Sequence, residues 1–244
     1  MLTDVAGHEG VGKVIGVGPN VDEQQWIGQR VGVRWLYSSC LECEICAVNH
    51  TACPKQKNAG ANVPGTFQQY IVSPAIHATM IPQGLSPDVA APLLCAGIAM
   101  YSSIQKTKTR PGDWIAILGA GGGLGHMGIQ IAAKKGIRVL AIDNERSYEQ
   151  SMQMLRPLGT LVCVGIPNTP FKLPASPFDM IVKGHTIVGN SAGTAKEMEE
   201  LIEMAVAGDV EAHVQVFEFD EIAQVLRRLE QASIEGRAVL RIPE

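Results

Sequence analysis

Four cysteines fall within one short stretch, as Cys40-x2-Cys43-x2-Cys46-x6-Cys53. Thiolates this close in sequence can fold around a single small ion, and four of them fill a tetrahedral zinc shell with no position left for a substrate. The spacing predicts a structural zinc. An iron–sulfur cluster and four metal-free thiols are the other readings. A second chemical signal is the glycine cluster Gly119, Gly121, Gly122, Gly123 and Gly125, which fits Gly119-x-x-Gly122-x-x-Gly125. Glycines let a backbone turn tightly and approach a pyrophosphate, whose charge then meets N–H groups at a helix N-terminus. Asp143 stands about 20 residues on, where a carboxylate accepts hydrogen bonds from ribose hydroxyls and opposes a 2′-phosphate. The alternative is a plain glycine-rich turn between a strand and a helix. The flanking pattern favours a dinucleotide, NAD rather than NADP.

The elements around that turn are legible. Trp114 to Leu118 is a short apolar run suited to a buried parallel strand, and His126 to Lys135 has helical character, ended by Gly136. Arg138 to Ile142 is the next strand, with Asp143 at its carboxyl end. Ahead of this unit the chain reads as a β-rich module: strands at Lys13 to Val17, Arg30 to Leu36 and Gly65 to Val72, a turn at Pro82 to Leu85, and a helix from Ala90 to Ile104. Behind it, a helix from Ser147 to Arg156 leads to a strand at Thr160 to Gly165, and another strand spans Thr186 to Asn190. Thr194 and Glu197 form a capping box for a helix burying Met198, Leu201, Ile202 and Ala205. A last helix from Asp220 turns Val225, Leu226 and Leu229 inward, and a strand at Ala238 to Ile242 closes the chain.

Composition sets outer bounds. With 244 residues, 18% charged and 46% hydrophobic, the chain is long enough for one large or two small globular domains. A net charge of −4 gives no electrostatic reason for a nucleic-acid or anionic-membrane partner. No apolar run is expected to reach the ~18 residues of a membrane span, and no signal-peptide pattern opens the chain. The six cysteines then read as thiols of a reducing compartment, with the cytosol expected. Taken singly, Cys95 and Cys163 read as small buried hydrophobes, and His50, His77, His185 and His213 show no ligand spacing.

In combination, GHEGVG, the four-cysteine lobe, GTFQQY, AAPLLCAG, GAGGGLG, LRPLGTLVCVG and GRAVLRI resemble the zinc-dependent medium-chain alcohol dehydrogenases, particularly the microbial and fungal type. The resemblance implies an α/β fold in which a GroES-like β-rich catalytic domain is interrupted by a Rossmann-type parallel-sheet domain. The divisions expected are 1–97 for the catalytic domain with its zinc lobe, 98–193 for the nucleotide domain, and 194–244 for the return to the first. It implies hydride transfer between a small alcohol or aldehyde and NAD, with one catalytic and one structural zinc, and a dimer or tetramer. His8, Glu9 and Cys95 are implied at the catalytic zinc, Gly119, Gly122, Gly123, Gly125 and Asp143 at NAD, and Gly165 with Ile166 near the nicotinamide. Cys40, Cys43, Cys46 and Cys53 are implied as the structural site.

Four departures stand beside the resemblance. A further zinc cysteine and a proton relay are expected ahead of Gly7, and the sequence as it stands does not contain them. The last lobe gap is x6 where x7 is usual. Two strands are missing between Asp143 and Tyr148, so the parallel sheet is expected either to keep a gap or to let the strand at Thr160 slide in beside the one at Trp114. Ala195 stands where an arginine contacting the pyrophosphate is common. The rival reading is therefore a catalytically impaired NAD- and zinc-binding remnant, with a zinc-free quinone reductase-like activity a more distant one.

Overall fold

The computed structural model describes residues 3–142, 147–166 and 172–243. Its N-terminal module is built on β1 (Gly10–Lys13), β2 (Arg30–Val33) and β5 (Thr79–Met80), antiparallel in the order β1-β2-β5. A one-turn helix, α1 (Glu23–Trp26), lies between β1 and β2, its Asp22 cap accepting from the Gln24 N–H. The expected strand at Lys13 to Val17 is thus displaced toward the N-terminus. Val14 still exchanges backbone hydrogen bonds with Gln29 and Gly28, and beyond it β2 offers no further partner. The expected strand at Arg30 to Leu36 divides into β2 and β3 (Leu36–Ser38), the latter paired with β4 (Lys57–Asn58). Gly65 to Val72 is not a strand. Its first residues instead bond irregularly to the chain at Val5, Ala6 and Gly7.

A continuous helix spans Pro87–Thr107 and carries the core. It comprises α3 (Pro87–Pro92), a π-helical turn (Leu93–Gly97) and α4 (Ile98–Thr107), with the Ser86 hydroxyl capping the Val89 N–H. Pro92 brings no N–H to the i→i−4 ladder, and the wider turn follows it directly. By length and by the mean hydropathy of its most apolar stretch, 1.2, the helix could cross a bilayer, but 78% of that stretch is buried inside the protein, as in a core helix.

The nucleotide unit has the expected order. β6 (Trp114–Leu118) leads through the glycine turn to α5 (Gly125–Lys134) and then to β7 (Arg138–Ile142), parallel to β6 with Trp114 opposite Arg138. After α6 (Ser147–Met154) come β8 (Thr160–Cys163), α7 (Pro177–Lys183) and β9 (Thr186–Gly189), with β8 and β9 parallel. The two pairs do not join: among the described residues the sheet consists of separate halves, β6-β7 and β8-β9. Of the two expectations for the missing strands, the gap is the one realised. The β8-β9 half is anchored through a side chain instead. Buried Asn190 donates to the Ala99 carbonyl and the Ser103 Oγ, both at 2.9 Å, and accepts from the Ser102 Oγ at 3.4 Å. Lys106 on α4 reaches the Gly189 carbonyl at 3.0 Å.

The Thr194–Glu197 capping box starts α8 (Ala195–Val206), and Met198, Leu201, Ile202 and Ala205 are buried as the pattern predicts. They meet Leu93, Leu94, Ile98, Met127 and Ile131 in one apolar cluster between α8, α5 and the long helix. The chain ends in β10 (Val214–Glu218), α9 (Ile222–Glu230) and β11 (Arg237–Arg241), with β10 and β11 parallel and packed on α3. On α9 only Val225 is buried. Leu226 and Leu229, expected to point inward, are about half exposed, because a helix of nine residues against a two-stranded ribbon has room to bury only one row.

Candidate metal centres and dinucleotide turn

The four-cysteine lobe folds locally. Cys40 follows β3, and Cys43 caps α2 (Glu44–Asn49), its sulfur accepting from the Cys46 N–H at 3.4 Å. The six-residue gap is closed by a 3₁₀ turn, His50–Ala52, whose His50 carbonyl accepts from the N–H of buried Cys53. All four sulfurs lie within 4.8 Å of one another. Cys40 is 3.8 Å from Cys46 and 3.6 Å from Cys53. Zn–S bonds of ~2.3 Å in a tetrahedron require S···S edges of about 3.8 Å, whereas a disulfide needs about 2.05 Å. The residues therefore fit zinc, and the shortened gap does not spoil the cage. A hydrogen bond from the Glu42 backbone N–H leads the effects that lower the Cys40 thiol to about 6, while burial foremost raises Cys46 to about 12. Such a split is what neighbouring thiols sharing charge produce.

The second constellation is assembled from distant parts. His8 and Glu9 immediately precede β1, and Cys95 lies in the π-helical turn, yet their donor atoms all lie within 4.8 Å of one another. The turn explains the presentation of Cys95: Leu93, Leu94, Ala96 and Gly97 around it are buried, and Cys95 alone is partly open to solvent. The Trp35 ring meets the His8 imidazole edge-on at 5.2 Å. Burial, then the Glu9 carboxylate, push the Cys95 thiol up to about 12, so a cation is needed to hold it as thiolate at neutral pH. One nitrogen, one carboxylate and one thiol converging here fit an open zinc site, which keeps a position for water or substrate.

Arg237, at the start of β11, is the residue the sequence reasoning did not single out. Its Nη2 donates to both Glu9 carboxylate oxygens, at 2.8 and 3.1 Å. The same side chain and the Gly236 carbonyl close over Gly123, where a Cβ would stand 2.8 Å from Arg237 Cδ. One guanidinium thus touches both the metal cluster and the glycine turn. The only trace of this in the sequence is a charged residue inside the quoted closing motif GRAVLRI.

In that turn Gly119 takes a left-handed φ of 69°, and both its N–H and that of Ala120 donate to the Ile142 carbonyl at the end of β7. A side chain at Gly125 would strike the Gly119 carbonyl at 2.3 Å, so α5 starts against the turn only because Gly125 has none. Space around Gly121 is open, and Leu124 supplies no side-chain cap to α5, an arrangement suited to an anion at the helix N-terminus. Asp143 lies outside the described residues. Gly165 and Ile166 follow β8: Ile166 is 91% exposed, and the Gly165 carbonyl accepts from the Tyr148 hydroxyl. His50, His77, His185 and His213 join neither metal cluster.

Comparison with known proteins decides the family. The Alcohol dehydrogenase GroES-like domain family matches residues 2–83, and the Zinc-binding dehydrogenase family matches residues 137–240. An alcohol dehydrogenase from Geobacillus stearothermophilus is 35% identical, with 98% of this chain and 83% of the relative covered. One from Schizosaccharomyces pombe is also 35% identical, covering 97% and 80%. The chain belongs to the zinc-dependent medium-chain alcohol dehydrogenase family.

Among solved structures, a cinnamyl alcohol dehydrogenase from Sorghum bicolor superposes on this alcohol dehydrogenase relative with a TM-score of 0.85 at 27% identity, covering 98% of this chain and 83% of that one. The alcohol dehydrogenase of Aeropyrum pernix gives 0.82 at 25% identity, covering 98% and 82%. The Geobacillus alignment runs over 285 positions for a chain of 244 residues, so that relative carries sequence which this family member lacks.

Proposed function

We propose that this protein is an NAD-dependent, zinc-containing oxidoreductase that converts a small alcohol and NAD⁺ to an aldehyde, NADH and a proton. The observation that carries the reading is the convergence of His8, Glu9 and Cys95, with Arg237 linking them to the glycine turn. His8, Glu9 and Cys95 would hold a zinc ion, which would supply Lewis acidity toward an alcohol oxygen, and bound NAD would supply the hydride acceptor. His8, braced by Trp35, and Cys95, presented by the π-helical turn, hold their donor atoms toward one point. Arg237 fixes the Glu9 carboxylate and places positive charge beside Gly123, where a pyrophosphate would enter. The divisions at residues 97 and 193 are kept as domain boundaries. A homo-oligomer fits the exposed Phe178, Ile181 and Val182 on α7, and a cytosolic setting fits the six unpaired thiols.

The experiment is NADH formation from ethanol by zinc-loaded protein, alongside Arg237→Ala and calorimetric titration with NAD and NADP. The reading expects tighter NAD binding and a KM for NAD raised about tenfold in the variant, the weight of one charge-assisted contact. Tighter NADP binding would sink the role given to Asp143.

The split sheet favours a second reading, an impaired enzyme of the same type. Misplacement of a nicotinamide by about 1 Å can cost ~10²-fold in rate. Inserting a family-type segment between Ile142 and Ser147 is expected to raise turnover by at least that factor. No gain on insertion would leave the gap without catalytic consequence.

A further inference from the structure

One side chain grips the glycine turn without belonging to either metal cluster. His126 is the second residue of α5, and its Nε2 stands 3.0 Å from the backbone nitrogen of His213, just ahead of β10. A backbone N–H can only donate, so Nε2 accepts and the ring proton sits on Nδ1. That proton is donated to the Gly122 carbonyl, 2.9 Å away. The same carbonyl accepts from the His126 N–H at 3.2 Å, so the ring supplies the second and shorter of its two bonds. The bond matters because this peptide joins two glycines. With no Cβ on either side, it can flip at little steric cost. In a trans peptide the Gly123 N–H lies opposite the carbonyl and here points out of the N-terminal end of α5. It makes no hydrogen bond among the described residues. Flipped, the peptide would present an oxygen to an anion in place of a donor.

The turn is clasped from its other side as well. The His213 carbonyl accepts from the Arg237 N–H at 2.8 Å, and Arg237 Cδ stands 2.8 Å from where a Gly123 Cβ would be. One turn further along α5, the Gln130 amide pairs with both backbone groups of Glu211 at 2.9 Å. The His213 peptide that sets the ring tautomer is thus itself fixed in place.

We infer that His126 is a positioning residue for the dinucleotide: through Nδ1–H it holds the Gly122 carbonyl back and keeps the Gly123 N–H aimed at the pyrophosphate. The inference rests on the dinucleotide reading of the glycine turn. An amide N–H bonded to an ionised phosphate makes a strong, charge-assisted contact, so losing its alignment is expected to weaken NAD about tenfold. The rival account makes His126 a packing tie between α5 and the chain ahead of β10, indifferent to what binds the turn.

The test is calorimetric titration of the zinc-loaded full chain with NAD, beside ligand-observed NMR titration with adenosine. Asparagine carries an amide N–H near the place of Nδ1, whereas glutamine carries its amide near the place of Nε2. His126→Asn should keep NAD affinity within about threefold of the parent, while His126→Gln and His126→Ala should weaken it about tenfold. Adenosine has no phosphate, and its affinity should be the same in the parent and all three variants. If the alanine variant does not fold, the difference between asparagine and glutamine carries the test. Equal NAD affinity in those two variants, or an NAD loss matched by an equal loss for adenosine, would overturn the role of His126. A parent chain that binds no NAD would overturn the dinucleotide reading itself, and the role with it.

Discussion

The two metal clusters are built in opposite ways. The cysteine lobe takes its donors from one short run, Cys40 to Cys53, and closes them with α2 and a single 3₁₀ turn. The His8, Glu9, Cys95 cluster takes its donors from the approach to β1 and from a helix far along the chain, and steadies Glu9 with Arg237 from the last strand. Closing a short loop costs little chain entropy, whereas bringing together three distant segments depends on everything packed between them. The first cluster should therefore survive damage to the core, and the second should feel it.

The largest effect expected from breaking the comparison is at the lobe itself. Cys53→Ser removes a fully buried ligand, and the lobe should lose its zinc, because metal binding and local folding are one equilibrium there. Metal analysis after dialysis should find the lobe metal gone, and Tm should fall by roughly 10 °C or more. Zinc retained at the parent level would mean that three thiols suffice and that the tetrahedral edges carry less weight than assigned here.

A smaller and more selective effect is expected at Asn190. Its amide is the buried hydrogen-bonded tie between the β8-β9 half and the helix that also presents Cys95, beside the exposed bond from Lys106 to the Gly189 carbonyl. Asn190→Ala strips the buried Ser102 hydroxyl of its acceptor, while the Ser103 hydroxyl keeps its bond to the Ala99 carbonyl, and the change should cost about 1–3 kcal/mol. Chemical denaturation measures that loss. Lobe zinc should be unchanged, while any metal held by His8, Glu9 and Cys95 should dissociate more readily. Equal loosening of both sites would show that the lobe is not independent of the core.

The same contrast governs what could be read from the sequence. The cysteine spacing, the β6–turn–β7 unit and the Thr194–Glu197 cap are local patterns, and the structure reproduces each nearly residue for residue. Taken alone, Cys95 read as a small buried hydrophobe. Only the resemblance put it beside His8, and the convergence depends on the π-helical turn after Pro92, which no apolar periodicity announces. Arg237 was missed for a similar reason. Its partner, Glu9, lies at the other end of the chain, and nothing in GRAVLRI says where the guanidinium goes. The strands expected at Lys13 to Val17 and Gly65 to Val72 failed because strand formation needs a partner in register, and neither stretch has one along its length.

The finest test of the comparison uses pH. Tyr101 on α4 donates to Glu200 on α8 at 2.5 Å and accepts from Lys135, after α5, at 3.1 Å, so one phenol ties together the three helices behind Cys95. Burial, followed by the Glu200 carboxylate, raises its pKa above the usual phenol value. A group whose folded pKa is raised is protonated in the folded state while the unfolded chain releases its proton. Its contribution is therefore whole below the unfolded value of about 10 and is lost as pH rises above it. The parent should thus lose stability from about pH 10 upward more steeply than Tyr101→Phe, and comparing the two cancels the lysines that titrate in the same range. Near neutral pH the variant should be less stable by about 1–2 kcal/mol, the weight of one charged hydrogen bond and its neighbour. Denaturation at a series of pH values reads both quantities. A parallel pH dependence in the two proteins would mean that the Tyr101 proton is not bound more tightly in the folded chain. Lobe zinc released in step with the Tyr101 transition, and not in the phenylalanine variant, would break the independence of the two clusters.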